Sequence, residues 1–233
     1  MSIRHLCLFL LIAPLNAQAE SEIITADAYR TFKFPYSCNI EISESANSQK
    51  SVFKVYLKGD LGLAVQKEPT KARGRKLLVK SDELWIFTPS IKRPIRIGLD
   101  QKLSGEVSNG DILRTNFAED YTAVVNNSGT EIILKLAKKK IGATYAKIDY
   151  FIALKSFEPK KAMFFAPSGK LLKTATYAKP NRVLNQNFID TIQVQDSVTA
   201  NKSVIKYSNC KRENIDDSFF NKDSIADQAD DNY

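Results

Sequence analysis

The sequence predicts a mainly β protein, an α+β chain in which strands follow one another as an antiparallel meander that is closed or strongly curved. Three observations carry this. Roughly ten or eleven short strand-like runs succeed one another between turn signals, with little room for helix. The clearest run, Ser51 to Lys58, alternates Phe53, Val55 and Leu57 with Lys54, Tyr56 and Lys58, the pattern of a strand covered on one side. By contrast, Glu83 to Thr88 is apolar on both faces, with Leu84 and Ile86 set against Trp85 and Phe87, so both of its sides need cover.

At the start, Arg4, the apolar run Leu6 to Leu15 and Ala17-Gln18-Ala19 have the anatomy of a secretory signal, too short to span a bilayer. Residues 1–19 are therefore expected to be removed after Ala19 and the chain exported. The one histidine among 233 residues is His5, so the mature chain has none. That excludes Ser-His-Asp and Cys-His catalysis, His-ligated zinc and the facial iron triad.

Of the three cysteines, Cys7 belongs to the signal. Cys38 and Cys210 remain, an even count that in an exported protein favours one disulfide. Two buried free thiols are the alternative, and so distant a pair makes a poor metal site.

A short helix is expected over Ser21 to Phe32, packing Ile23, Ile24 and Ala28. Arg75 to Lys80 alternates again, with Leu77 and Val79 on one face, although Leu78 interrupts the polar side. Pro89 to Pro94 turns the chain into Ile95-Arg96-Ile97-Gly98-Leu99. Further strands are expected over Tyr121–Val125, Glu131–Ala137, Tyr145–Leu154, Ala162–Ala166, Leu171–Tyr177, Phe188–Val194 and Ser203–Ser208. Asn127-Ser128-Gly129 and Pro167-Ser168-Gly169-Lys170 mark turns.

Asp100 to Asp120 lacks alternation. Ser108-Asn109-Gly110-Asp111 offers N-cap chemistry for a short helix through Ile112 and Leu113. An irregular segment of that length reads as a lid or binding loop. The chain is expected to be one domain over 20–220, followed by an acidic, disordered tail over 221–233, with disorder setting in from about Ser224.

Charge divides along the chain. Glu213 to Tyr233 holds seven acids and Lys222, whereas Glu20 to Arg212 holds 32 basic and 19 acidic residues, a net +13. In an exported protein a basic body suits anionic lipid head groups or acidic partners better than nucleic acid.

Catalytic patterns fail on geometry. Ser51/Lys54 and Ser203/Lys206 match Ser-x-x-Lys but lie in strands, where positions three apart face opposite ways. The adjacent acids Asp82-Glu83, Glu119-Asp120 and Asp216-Asp217 suit turns and strand ends. Gly-rich phosphate loops are absent. No catalytic residue, metal site or cofactor is assigned. What survives is the apolar concave face of a curved sheet too broad for its own side chains to fill.

The stretch Leu84-Trp-Ile-Phe-Thr-Pro-Ser-Ile-Lys-Arg-Pro-Ile-Arg-Ile97 resembles the W-x-Y/F-x-P…R-x-I-R-I signature of the LolA-like outer-membrane lipoprotein-sorting proteins. In the same order, Leu103 to Arg114 resembles the family's insertion and Glu119-Asp-Tyr121 its strand start. Tyr145 to Ile148, Glu158-Pro159, Ser168 to Lys173 and Ile215 to Phe220 also match. The resemblance spans Val52 to Phe220. Phe87, Glu106 and Gly110 depart from the pattern.

The resemblance implies an incomplete antiparallel β-barrel whose mouth is closed by short helices. It also implies a periplasmic carrier, not an enzyme, that shuttles acyl chains of lipoproteins or lipids towards the outer membrane. An inner-membrane transporter and an outer-membrane acceptor would be its partners. The carrier itself is expected to be a soluble monomer with no nucleic-acid partner, touching membrane surfaces transiently. Physically, each buried CH₂ contributes about 0.8 kcal/mol, so a sixteen-carbon chain carries on the order of 12 kcal/mol and needs shielding to cross water.

Phe53, Val55, Leu57, Leu77, Val79, Ile95, Ile97, Ile132, Leu134, Ile148, Tyr150 and Ile152 are the cavity candidates. Trp85 and Phe87 are added as possible liners. The N-terminal helix with Asp100–Asp120 would be the lid. The family's carriers place a functional arginine on a strand facing the cavity; it is not assigned to a position here. A different expectation from the same features is an accessory partner of an envelope transporter, docking through its basic surface without carrying cargo. A third is a histidine-free carboxylate hydrolase.

Overall fold

The computed structural model of the protein describes residues 13–45 and 50–225. The apolar run of the signal, through Ile12, and the tail beyond Ile225 lie outside the described residues. Helix α1 (Ala13–Asp27) leads into β1 (Tyr36–Glu44), β2 (Lys50–Lys58), β3 (Leu61–Glu68), β4 (Lys76–Lys80), β5 (Glu83–Thr88) and β6 (Ile91–Ile97), a meander of antiparallel neighbours. A hairpin of β7 (Lys102–Ser104) and β8 (Val107–Ser108) follows, then α2 (Asn109–Leu113) and α3 (Phe117–Asp120).

The second meander is β9 (Tyr121–Ser128), β10 (Glu131–Lys138), β11 (Lys147–Ala153), β12 (Pro159–Phe165) and β13 (Leu171–Tyr177). After a small hairpin, β14 (Asn181–Val183) with β15 (Gln186–Phe188), the chain returns as β16 (Thr191–Asp196) and β17 (Lys202–Arg212). A 3₁₀ turn, Asp217–Phe220, and helix α4 (Lys222–Ile225) finish the described chain.

Thirteen strands form one antiparallel sheet in the order β6-β5-β4-β3-β2-β1-β17-β16-β13-β12-β11-β10-β9. The sheet is strongly curved and unclosed: β6 and β9 are its two edges, and Pro94 sits on the first, where a missing ladder donor is tolerated. The chain between those edges, from Gly98 to Asp120, therefore crosses the open side of the barrel. At the predicted hairpins Gly129 and Gly169 take φ of 67° and 83°, conformations open to a residue without Cβ.

The first and last strands of the meander pair at the centre of the sheet, β1 with β17. Cys38 and Cys210, 172 positions apart, form a disulfide across that junction. The free-thiol alternative is thereby replaced, and the bridge shuts the longest loop in the topology, where cross-linking restricts the unfolded chain most.

Two strands had no sequence signal. In β3 the inward positions are Gly62 and Ala64 and the outward ones Leu61, Leu63 and Val65, so it is more apolar outside than in. β1 mixes Tyr36, Cys38, Ile40 and Ile42 with Ser, Asn and Glu, a pattern the loop-like Pro35 and Ser37 obscured. With both included, the sheet has more strands than the ten or eleven expected. Helix α1 also differs from expectation. It ends at Asp27, before Phe32, and buries Ala19, Ile23 and Ala26, whereas Ile24 is 48% exposed. Ala19 itself, at the expected cleavage point, is buried in the core.

Alternation sorts the sheet into two apolar faces. One large cluster lines the concave face and takes in α1 and the α2–α3 segment. A second cluster on the convex face joins Leu63, Val65, Leu78 and Phe87 to Phe220 and Ile225. Leu78 thus breaks its polar face because the C-terminal segment covers it, and ordered helix runs past Ser224 to Ile225.

Candidate binding cavity and its lid

The concave face holds most of the residues expected there. Phe53, Val55, Leu57, Leu77, Val79, Ile132, Leu134, Ile148, Tyr150 and Ile152 are buried in a single cluster, with Ile97 half-buried against it. Two sets depart. Ile95, near the β6 edge, is 47% exposed, because no strand lies beyond it. Trp85 and Phe87 point to the convex side, packed in the cluster of Phe220 and Ile225; Leu84 and Ile86 take the inward positions of that strand. Trp85 and Phe87 are therefore not cavity liners: the C-terminal segment, unseen as a cover from the sequence, accounts for the apolar outer face.

The Gly98–Asp120 segment lies on this face as a lid, with Val107, Ile112, Leu113 and Phe117 buried in the concave cluster. Ser108 starts α2 as its sequence suggested, its amide donating to Asp111 at 2.8 Å. Two glycines set how closely the lid can lie. A Cβ at Gly110 would come within 1.9 Å of the Thr144 hydroxyl, and Gly62 leaves β3 flat where Leu113 passes.

Three ionic contacts hold this cover, and each is buried. At the end of α1, Asp27 accepts from the Ala118 amide at 2.7 Å and pairs with Arg30 at 3.4 Å. Arg30 in turn donates to the Thr115 carbonyl at 2.5 Å, and its guanidinium lies 3.7 Å from the Phe117 ring centroid. Burial pushes the Asp27 carboxyl up to about 6, against the opposing pull of Arg30 and the Ala118 and Phe117 amides.

From the wall, Lys173 on β13 reaches Asp111 at 2.5 Å, the Ser108 hydroxyl at 2.9 Å and the Glu106 carbonyl at 3.2 Å. Tyr145 donates to the other Asp111 oxygen at 2.6 Å. Within the lid, Arg114 clasps Asp120 with two nitrogens and donates to the Ser81 carbonyl at 2.5 Å. The amides of Lys139 and Lys140 donate to the Asp120 carbonyl.

So covered, the interior is nearly full. A cavity of about 30 Å³ remains between Arg30, Tyr177, Tyr207, Ile192, Val194 and Ile205, room for little more than one water. A wider cleft of about 630 Å³ opens at the mouth between α1, the Gly59–Asp60 turn and residues 113–120 of the lid. No group of three or more His, Cys, Asp or Glu among the described residues could hold a metal. Ser51 and Ser203 are buried while Lys206 is exposed and Lys54 half-exposed. Ser51 and Ser203 bond the lid through Ser104 and the Glu106 amide, so the Ser-x-x-Lys matches serve closure.

The polar groups that hold the lid were not found from the sequence. Lys173 carried a signal: the alternation Leu171, Lys173, Ala175, Tyr177 puts it in the inward register. Arg30 carried none, since it lies in neither strand nor helix, and its surroundings come from distant segments. The inward-facing arginines, Arg30 and Arg114, are both outside strands.

Fold and site together define a lidded, open-barrel protein with an apolar concave face. A LolA superfamily protein from Nitrosomonas europaea is 32% identical, with 88% of this chain and 98% of that one covered and a TM-score of 0.81. The chain belongs to the LolA superfamily. A domain from Vibrio parahaemolyticus described as an outer membrane lipoprotein-sorting protein has the same fold at 18% identity, covering 91% of this chain and 99% of that one, with a TM-score of 0.75. A family model described as an uncharacterized protein matches residues 58–227. No match is found among the curated proteins. No helix among the described residues is long and apolar enough to cross a membrane.

Proposed function

We propose that this protein is a periplasmic carrier that takes up the acyl chain of a lipoprotein or lipid on its concave face and carries it through the envelope towards the outer membrane. One observation supports this above the rest: the apolar face is filled by a segment that is not part of the sheet, the Gly98–Asp120 lid. Val107, Ile112, Leu113 and Phe117 of the lid occupy it. An acyl chain can take their place once the lid leaves, burying the same surface. No covalent chemistry is required of a carrier, which agrees with an interior whose charged groups are spent on closure.

Because the closed interior has room for about one water, uptake requires the lid to move. The basic body would then meet anionic head groups at the donor and acceptor membranes, with an inner-membrane transporter and an outer-membrane acceptor as partners.

The test is extraction of gently purified protein with organic solvent, followed by mass spectrometry. Acyl lipid in stoichiometric amount is the expected result. Lipid-free material that also fails to take up acyl lipid when offered it would overturn the proposal.

A further inference from the structure

We infer that the wall beneath the lid carries a receptor for an acidic head group, formed by the Arg30 guanidinium and the hydroxyls of Tyr150, Tyr177 and Tyr207. The inference rests on the carrier reading and adds the class of cargo: a long-chain amphiphile ending in a carboxylate or phosphate.

An acyl-binding interior has no need of a charge, and a buried guanidinium is costly unless well paired. Arg30 is 7% exposed, yet its partners are few. Its two hydrogen bonds among the described residues go to Asp27 at 3.4 Å and to the Thr115 carbonyl. Thr115 and the Phe117 ring beneath the guanidinium both belong to the lid. Five N–H donors in a fixed fork are thus served in good part by groups that depart when the lid opens.

The opposite side of Arg30 stays with the barrel. The rings of Tyr150 on β11 and Tyr177 on β13 lie 5.6 and 5.7 Å from it, centroid to guanidinium carbon. Tyr177 and, from β17, Tyr207 line the small cavity with Arg30. The Tyr150 hydroxyl is fully buried and, among the described residues, makes no well-formed hydrogen bond, Arg30 being the neighbour whose polar interaction it feels, a state that ordinarily costs stability and calls for a reason. Burial pushes all three hydroxyls up, Tyr177 to about 12, against the pull of Arg30. They remain protonated and able to donate.

Donors from Arg30, Tyr177 and Tyr207 on one cavity, with Tyr150 against the same guanidinium, match the several lone pairs of an anion better than the single acceptor of an ester or amide. The charges agree. Among the charged groups lining the cavity, Arg30, Asp111 and Arg114, only Arg30 lies outside the lid. Opening carries Asp111 and Arg114 away, leaving Arg30 on the apolar face with Asp27 as its competitor, and Lys173 on β13 without its Asp111 partner. The acyl chain would then run along the face vacated by Ile112, Leu113 and Phe117.

The experiment is titration calorimetry of the full protein with palmitate, 1-palmitoyl lysophosphatidic acid and the uncharged 1-monopalmitoylglycerol, each below its aggregation threshold. At least one acid is expected to bind about tenfold to a hundredfold tighter than the glycerol ester, the range for charge-assisted hydrogen bonds; which acid does so separates carboxylate from phosphate as the source. Arg30→Gln should erase that preference while retaining binding of the ester. Tyr150→Phe, which preserves the ring, should lower it several-fold and decides the matter if the arginine variant does not fold. Equal affinities for all three, or a preference unchanged in the variants, would overturn the receptor and leave the carrier standing. Failure of all three to bind would overturn both.

Discussion

Two apolar faces of the same sheet are covered by the same chain, in opposite ways. On the convex side, Phe220 and Ile225 bury themselves completely against Leu63, Val65, Leu78 and Phe87. No buried ion pair is found there among the described residues: the buried Lys76 ammonium donates to the Ile225 carbonyl, and Lys58 meets Asp217 at the rim. On the concave side the lid is apolar too, but it is fastened by the buried charges Asp27, Arg30, Lys173, Asp111, Arg114 and Asp120. A mostly apolar cover gains from every methylene it hides. A cover with buried ion pairs regains hydration of those ions when it lifts, so the pairs give register and place with little net hold. The convex strap is built to stay, and the concave lid to leave.

The largest effect expected separates the covers by stability. Phe220→Ala should cost about 3–5 kcal/mol, the usual range for deleting a buried phenyl ring, seen as a lower urea midpoint with acyl-lipid binding retained. Lys173→Met strands Asp111 and costs the closed state a comparable amount, about 3–5 kcal/mol. Here the lid can lift, so the change should appear as faster hydrogen exchange in residues 100–120, with a smaller shift in global unfolding. Adding Asp111→Leu should reverse this: an apolar replacement of the pair is neutral or stabilising by about 1–4 kcal/mol, and lipid uptake should slow.

A smaller effect follows from Asp27. Its carboxyl, at about 6 in the closed protein against an ordinary 3.8, makes the folded state bind more protons between those values. The stability it lends is full below about pH 4 and fades as pH rises through 6, by roughly 3 kcal/mol at most. Asp27→Asn should remove that slope from the pH dependence of urea unfolding, and in the wild type a lower pH should favour the closed lid. The least effect belongs to the convex rim: Lys58→Ala removes a partly exposed pair and should change stability by no more than about 1 kcal/mol.

The concave face was legible because it depends on a local rule. Alternation in β2, β4, β10 and β11 places Phe53, Leu77, Leu134 and Tyr150 without knowledge of their neighbours. The same rule fails where a face is defined by what lies over it. Trp85 and Phe87 read as cavity liners until a cover from the far end of the chain accounted for them. Strand β3 was lost for a related reason, since Gly62 and Ala64 are small to let the lid approach. The polar fastenings were the least legible, because an ion pair such as Asp111 with Lys173 joins residues far apart, and only the inward register of Lys173 sets it apart from an ordinary surface charge.

Lid movement over an acyl-binding face is most directly measured by hydrogen exchange with and without 1-palmitoyl lysophosphatidic acid or a palmitoylated lipopeptide. Saturable binding of either ligand should speed exchange in residues 100–120 and leave the amides of β1, β2 and β17 unchanged. If neither ligand binds and the lid exchanges as slowly as those central strands, the lid is part of a permanent core and the carrier reading is contradicted.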